Sequence, residues 1–135
     1  MKDTRDLFEE REDLKATILA DHNAEFPRNE KDDFDDINFD NDYVESWAED
    51  WKDELEKIEE IDTLEREVGS EFEYGETLIE EDEFEDYCRD LIEECGYISK
   101  DFPSWIEVDW GRTTDNMRVD YSEVVYLGTD YLFRI

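Results

Sequence analysis

One histidine, two cysteines and 45 carboxylates are the side chains through which this 135-residue chain could do chemistry. His22 stands alone, near the end of a helical segment, so no histidine dyad or histidine metal set can form, and its expected place is the surface. The five glycines, Gly69, Gly75, Gly96, Gly111 and Gly128, occur singly at turn positions, so no glycine-rich phosphate loop is present. Carboxylate pairs fit for glycosidic acid–base work arise by chance among so many acids, which makes any single pair uninformative. Asp36-x-Asn38-x-Asp40 opens like a calcium loop. Its sixth position is then Asn41, where the turn needs glycine, and its twelfth is Trp47, where a bidentate Glu is required. The residue types therefore point away from an enzyme, with no catalytic residue, metal or cofactor expected.

What remains is charge. Asp and Glu outnumber Lys and Arg by 45 to 14, a formal net charge of −31. Self-repulsion on this scale opposes compaction, and such acidity usually accompanies disorder. The aromatic content of 14%, with four Trp and seven Tyr, argues instead for a folded domain under an acidic coat. The charge is graded. Between Glu30 and Glu94 there are 30 acidic and five basic residues, whereas the last 35 residues hold seven and three.

The carboxylates that could act together are Asp35, Asp36, Asp40, Asp42, Glu45, Glu49, Asp50, Asp53, Glu56 and Glu60, then Asp82, Glu83, Asp86, Asp90 and Glu93. On helices, acids at i, i+3 and i+4 stand ~5–6 Å apart in rows. Duplex DNA presents one negative charge per ~1.7 Å of axis, so this net charge corresponds to about 50 Å of duplex, or about 15 base pairs. A protein with a basic DNA groove would gain counterion release from such a surface without reading a base.

The elements that must hold these rows follow from hydrophobic spacing. A first helix is predicted over about Thr4–His22, with Leu7, Phe8, Leu14, Ile18 and Leu19 inward and Pro27 beyond its end. A second covers about Asn41–Glu60, with Tyr43, Val44, Trp47, Trp51, Leu55 and Ile58 inward. Asp62-Thr63-Leu64-Glu65 opens a short further turn closed by Gly69. A third helix covers about Glu81–Cys95. Phe84, Tyr87, Cys88, Leu91, Ile92 and Cys95 line its inner face, and Gly96 ends it. Glu71–Tyr74 alternates like a short strand. Asp109–Arg118 reads as helical with Trp110 and Met117 inward. Tyr121–Tyr126 and Tyr131–Ile135 form a β-hairpin across Leu127-Gly128-Thr129-Asp130. The loop around Phe34 and Phe39 is pinned to the core, and those two rings could equally close a dimer.

The expected fold is thus α+β: three main helices with a small C-terminal antiparallel hairpin and a strongly acidic surface. Residues 1–80 form an acidic, mainly helical region and residues 81–135 an α+β region, together one compact unit. No apolar run approaches the ~18 residues of a membrane span, and an anionic surface is repelled by anionic lipid. Cys88 and Cys95, seven residues apart on one helix, are too distant for a disulfide and read as reduced core thiols, which favours a cytoplasmic setting.

Asp86-Tyr87, Leu91-Ile92-Glu93-Glu94-Cys95-Gly96, Ile106, Asp109-Trp110, Arg112, Tyr121, Gly128 and Tyr131-Leu132-Phe133-Arg134 recur in order along the C-terminal part. In this spacing the segment resembles the end of the ArdA antirestriction proteins, acidic DNA mimics of phages and mobile elements, over about 55 of the 135 residues. The resemblance implies inhibition of type I restriction–modification enzymes through their DNA groove, usually by an elongated dimer, in a host bacterial cytoplasm. The first 80 residues do not match the family's N-terminal domains, so a Cas nuclease, a nucleoid protein or a repair glycosylase fits the partner role as well. Direct nucleic-acid binding and membrane binding are not expected. The competing readings are an acidic phage interaction or structural protein without mimicry, and a halophile-type solvated domain.

Overall fold

The computed structural model describes residues 1–98 and 103–134. Five α-helices and four strands follow one another as β1 (Lys2–Asp3), α1 (Thr4–Glu25), α2 (Asp42–Ala48), α3 (Lys52–Val68), β2 (Thr77–Glu80), α4 (Phe84–Glu94), α5 (Trp110–Met117), β3 (Tyr121–Tyr126) and β4 (Thr129–Arg134). The strands form one antiparallel sheet in the order β1-β2-β4-β3. Strands from before and after residue 81 therefore share a sheet. The α+β class holds, with more helices and strands than spacing alone indicated.

Strand alternation places helices on both faces of this sheet. Leu78, Val124, Tyr126, Tyr131 and Phe133 pack with Leu7 of α1, Ile61 and Leu64 of α3, and Phe72. Ile79 and Leu132, opposite one another in the β2–β4 register, face the other way and pack on Phe84 and Cys88 of α4. The result is three layers, with α1 and α3 on one side and α4 on the other.

Helix α1 begins where the Asp3 carboxylate accepts the Arg5 backbone N–H at 2.9 Å. Its buried residues are Thr4, Leu7, Arg11, Ile18 and His22. Three of these five are polar, which is why its apolar stripe is sparse. Thr4 donates to the Phe72 carbonyl at 2.9 Å and accepts from the Glu76 N–H at 2.7 Å, fixing the chain that leaves α3. Arg11 is only 5% exposed. It donates to Asp62 at 2.8 Å and to Glu65 at 2.7 Å on α3, with its guanidinium over Phe8 and Phe72.

Several expectations are corrected. The helix expected over 41–60 is broken by a 3₁₀ turn at Glu49–Trp51, and α3 then runs unbroken through the expected capping box to Val68. Across the break the indole N–H groups of Trp47 and Trp51 both donate to the same Asp21 oxygen, at 2.9 and 2.8 Å. Tyr43 is not inward but 80% exposed, because only Val44 of α2 reaches the core. Glu71–Tyr74 is a turn, its backbone held by the Gly75 N–H to Glu71 carbonyl bond, and the strand there is Thr77–Glu80. His22 is 1% exposed, packed at 5.2 Å from Phe26 and 5.4 Å from Trp47. Cys88 is buried, but Cys95 is exposed, since α4 ends at Glu94. Beyond it Gly96 takes φ +70°, with its N–H to Glu93 and that of Tyr97 to Ile92, a Schellman stop. Phe34 and Phe39 are half-buried and pack on each other at 5.8 Å, and Ile37 between them is buried.

The hairpin is tighter than expected. Thr129 and Asp130 pair with Tyr126 and Val125, leaving a two-residue turn. Leu127 (φ +48°) and Gly128 (φ +77°) both take the positive φ that a type I′ turn requires. The expected strand end Ile135 lies outside the described residues.

Removing Arg11 would unpair Asp62 and Glu65 and open the space between two rings. Because both carboxylates are partly hydrated, Arg11→Met is expected to lower stability by about 2–3 kcal/mol, below the range for a fully buried pair. Urea unfolding followed by tryptophan fluorescence checks this; an unchanged midpoint would remove Arg11 from its structural role.

Candidate acidic interface

Acid rows lie on both outer layers. Asp35 and Asp36 occupy the 3₁₀ turn Phe34–Asp36, and Asp40 follows in the loop. Asp42 and Glu45 sit on α2, Glu49 and Asp50 on the 3₁₀ break, and Asp53, Glu56 and Glu60 on α3. Asp82 and Glu83 lie in the 3₁₀ turn before α4, and Asp86, Asp90 and Glu93 on α4. Every one of these fifteen side chains is exposed. Among the described residues only Glu83 has a cation partner, the N-terminal ammonium at 3.4 Å.

The structure does not bring the fifteen onto one face. The tract from Asp42 to Glu60 belongs to the α2–α3 layer, while the α4 row stands across the sheet from it. The fifteen therefore form two separate acidic surfaces and not one.

A further row, not among the fifteen, lies on α1. Asp6, Glu9, Glu10 and Asp13 line a shallow groove along that helix. Their i, i+3, i+4, i+7 spacing was visible in the chain, outside the Glu30–Glu94 segment on which the charge count had centred. The contacts of Arg11 with Asp62 and of Asp21 with Trp51 make α1 and α3 antiparallel neighbours. The α1 acids and Asp53, Glu56, Glu59 and Glu60 of α3 are thus carried by adjacent helices, with Lys57 tied to Glu10 between them. Glu59 joins Asp53, Glu56 and Glu60 around a depression that Leu127 of the hairpin turn completes. Packed helices generally lie ~8–10 Å apart, so the two rows run side by side.

Their field reaches the core beneath. Burial pushes the Tyr126 phenol up to about 12, and the charges of Glu10, Tyr131 and Glu60 add to it. Tyr121, on the α4 side, is likewise pushed up to about 12, by burial first and then by Tyr87. In Arg11, burial opposes the charge. The Glu65 hydrogen bond and charge, together with Asp62, outweigh it and raise the guanidinium above its ordinary value.

Among the described residues no group of three or more His, Cys, Asp or Glu side chains is placed to hold a metal ion. In the segment resembling a calcium loop, the Asn38 amide oxygen accepts the Asp40 N–H at 3.1 Å and serves as a turn cap. No helix among the described residues is long and apolar enough to cross a membrane. No family model, curated protein or solved structure matches the chain.

The raised phenols give a pH test of this packing. A group with folded pKa above its unfolded value of about 10 contributes stability below pH 10 and loses it as pH rises through 12. Stability should therefore be level towards pH 10 and fall between 10 and 12, with two phenolates appearing at 295 nm only near 12. The Tyr126 hydroxyl is buried without a hydrogen-bond partner. Tyr126→Phe should accordingly raise stability by about 1 kcal/mol at neutral pH and flatten the alkaline fall. Urea midpoints across the pH range decide both points, and a destabilised Tyr126→Phe would mean the hydroxyl is satisfied after all.

Proposed function

We propose that the chain is a DNA mimic that occupies the basic DNA groove of a DNA-handling protein, with no catalytic role of its own. The observation that carries this reading is the state of the fifteen carboxylates. All are exposed, and fourteen have neither a hydrogen bond nor a cation partner among the described residues. Charges serving the fold would be paired. Charges left unpaired in rows, against self-repulsion, hold their interaction energy for a partner.

The antiparallel α1 and α3 rows add shape to the charge. Two negative rails on packed neighbouring helices, typically ~8–10 Å apart, present a groove-filling edge, and α2 extends one of them. A basic groove meeting this edge releases its own counterions, the same source of affinity that drives non-specific DNA binding. The likeness of the α4–β4 region to ArdA proteins puts restriction–modification enzymes first among partners. Cas nucleases, nucleoid proteins and repair glycosylases share the same groove chemistry.

The test is competition. The protein is expected to bind the DNA-specificity subunit of a type I restriction enzyme, or another basic groove in that panel, with sub-micromolar affinity. Duplex DNA should displace it, and affinity should fall at least about tenfold between ~50 and ~200 mM salt. Successive reversal of Glu45, Glu49, Asp53 and Glu56 to Lys should weaken binding step by step, with Glu9 and Asp13 adding to the loss. Binding that survives molar salt, or that duplex DNA does not displace, would refute mimicry.

A further inference from the structure

The sheet has one long open edge. β1 ends it on one side with two residues, and β3 ends it on the other with six. The two-residue type I′ turn makes Tyr126 and Thr129 a hydrogen-bonded pair, so by alternation Val124 and Ser122 also spend their backbone groups on β4. Tyr121, Glu123 and Val125 then direct theirs away from the sheet. The Tyr121 N–H agrees with this register, since it donates to the Arg118 carbonyl and not to β4. Among the described residues the backbone N–H and C=O groups of Glu123 and Val125 have no partner.

An edge of this kind is a template for another strand unless charge, proline or a bulge blunts it. β3 contains no proline, and it pairs with β4 residue for residue, without a bulge. Its one charged side chain is Glu123, which Arg118 holds at 3.1 Å. Val125, beside the open groups, is 58% exposed, as is Leu127 in the turn.

Helix α3 decides what fits there. Val124 and Tyr126 turn their side chains to the face that α3 covers. The bonds from Arg11 to Asp62 and Glu65 mark the flank of α3 that faces α1. At ~3.6 residues per turn, Asp53, Glu56 and Glu60 stand on the opposite flank, where Leu127 of the β3–β4 turn meets them. Every second side chain of a strand added to β3 would point to the α3 side, towards these carboxylates. A second copy of the chain is a poor occupant. Antiparallel pairing of β3 with β3 about a twofold axis would set the two α3 flanks on one face, acid against acid.

We infer that the β3 edge accepts an extended segment of another protein as a fifth strand, with Lys or Arg at the alternate positions facing α3 and β-branched residues on the Val125 side. Main-chain bonds to Glu123 and Val125 set the register, and the α3 carboxylates choose the segment. Such docking does not depend on DNA mimicry, and its test involves no DNA-binding protein.

The probe is a short peptide alternating Lys and Val, titrated into the full chain at about 150 mM salt and followed by backbone amide resonances. Saturable shifts centred on Glu123 and Val125 are expected, with slowed amide exchange at both. The same peptide N-methylated at its Val residues keeps every charge but loses the donors that face β3, and should bind at least about tenfold more weakly. Val125→Pro removes an outward donor that the fold does not use, and should weaken binding by about tenfold with unchanged circular dichroism. Glu56→Gln and Glu60→Gln should each weaken it by about threefold. If the proline variant does not fold, the N-methyl comparison on the unaltered chain still decides. Equal binding of the N-methylated peptide, shifts spread along the acidic rows instead of β3, or no saturable shift overturns the proposal. So does a free protein in which these amides are already protected by pairing with a second copy.

Discussion

Arg11 is the constraint on which the arrangement depends. A cation 5% exposed, between Phe8 and Phe72 and bonded to Asp62 and Glu65, holds α1 against α3 from the inside of an acidic protein. The chain has 14 Lys and Arg side chains with which to offset 45 acids. It places some of them where each joins two elements. Lys57 ties α3 to Glu10 of α1. Arg118 reaches Glu81 and Glu123 at 3.3 and 3.1 Å with its guanidinium over Phe84, and Arg89 of α4 lies 4.8 Å from the Trp110 ring centre of α5. Cations used as rivets between elements leave the outer helix faces unneutralised. The same economy that lets the chain compact therefore also produces the exposed carboxylate rows.

The helices and the hairpin were legible because their apolar residues repeat at the right period. Leu7 and Ile18 mark α1, Phe84 and Cys88 mark α4, and Val124 with Tyr126 marks β3. Strand β2 was not legible. It has four residues, and its two apolar ones, Leu78 and Ile79, are adjacent because helices cover both faces of the sheet, so no alternation appears. Glu71–Tyr74 alternated without being a strand, since its backbone bonds go to its own turn and to Thr4. Tyr43 fitted the helical stripe but lies on a seven-residue helix whose only buried residue is Val44. The burial of His22 could not be read from its neighbours in sequence, because Trp47, against which it packs, comes from beyond a 3₁₀ loop.

Exposure of the fifteen acids was legible for a simple reason: Asp and Glu stay in water unless paired, and cations were too few to pair them. The separation of the α4 row from the α2–α3 row was not legible, because it depends on which face of the sheet each helix covers. The α1 row was overlooked for the opposite reason. It lies outside the Glu30–Glu94 segment, and it gains a neighbouring row only because Arg11 brings α1 beside α3.

The recess beside His22 and the acidic rows are two consequences of one electrostatic division. Carboxylates on a −31 chain move outward and apart, so any concave region that closes without them must be held by neutral bonds. Around His22 those bonds are carboxamides, with Asn23 gripping the Lys31 backbone and Asn38 and Asn41 capping the next turns. Such groups satisfy backbone polarity without adding charge. The recess they border is lined by Lys31 and by no carboxylate, so it closes without adding to the chain's self-repulsion. The acidic rows, exposed and unpaired, are the outward side of the same division. Charge acts at long range over the whole surface while the carboxamides act only within hydrogen-bond reach, so the chain can close around His22 without neutralising its rows.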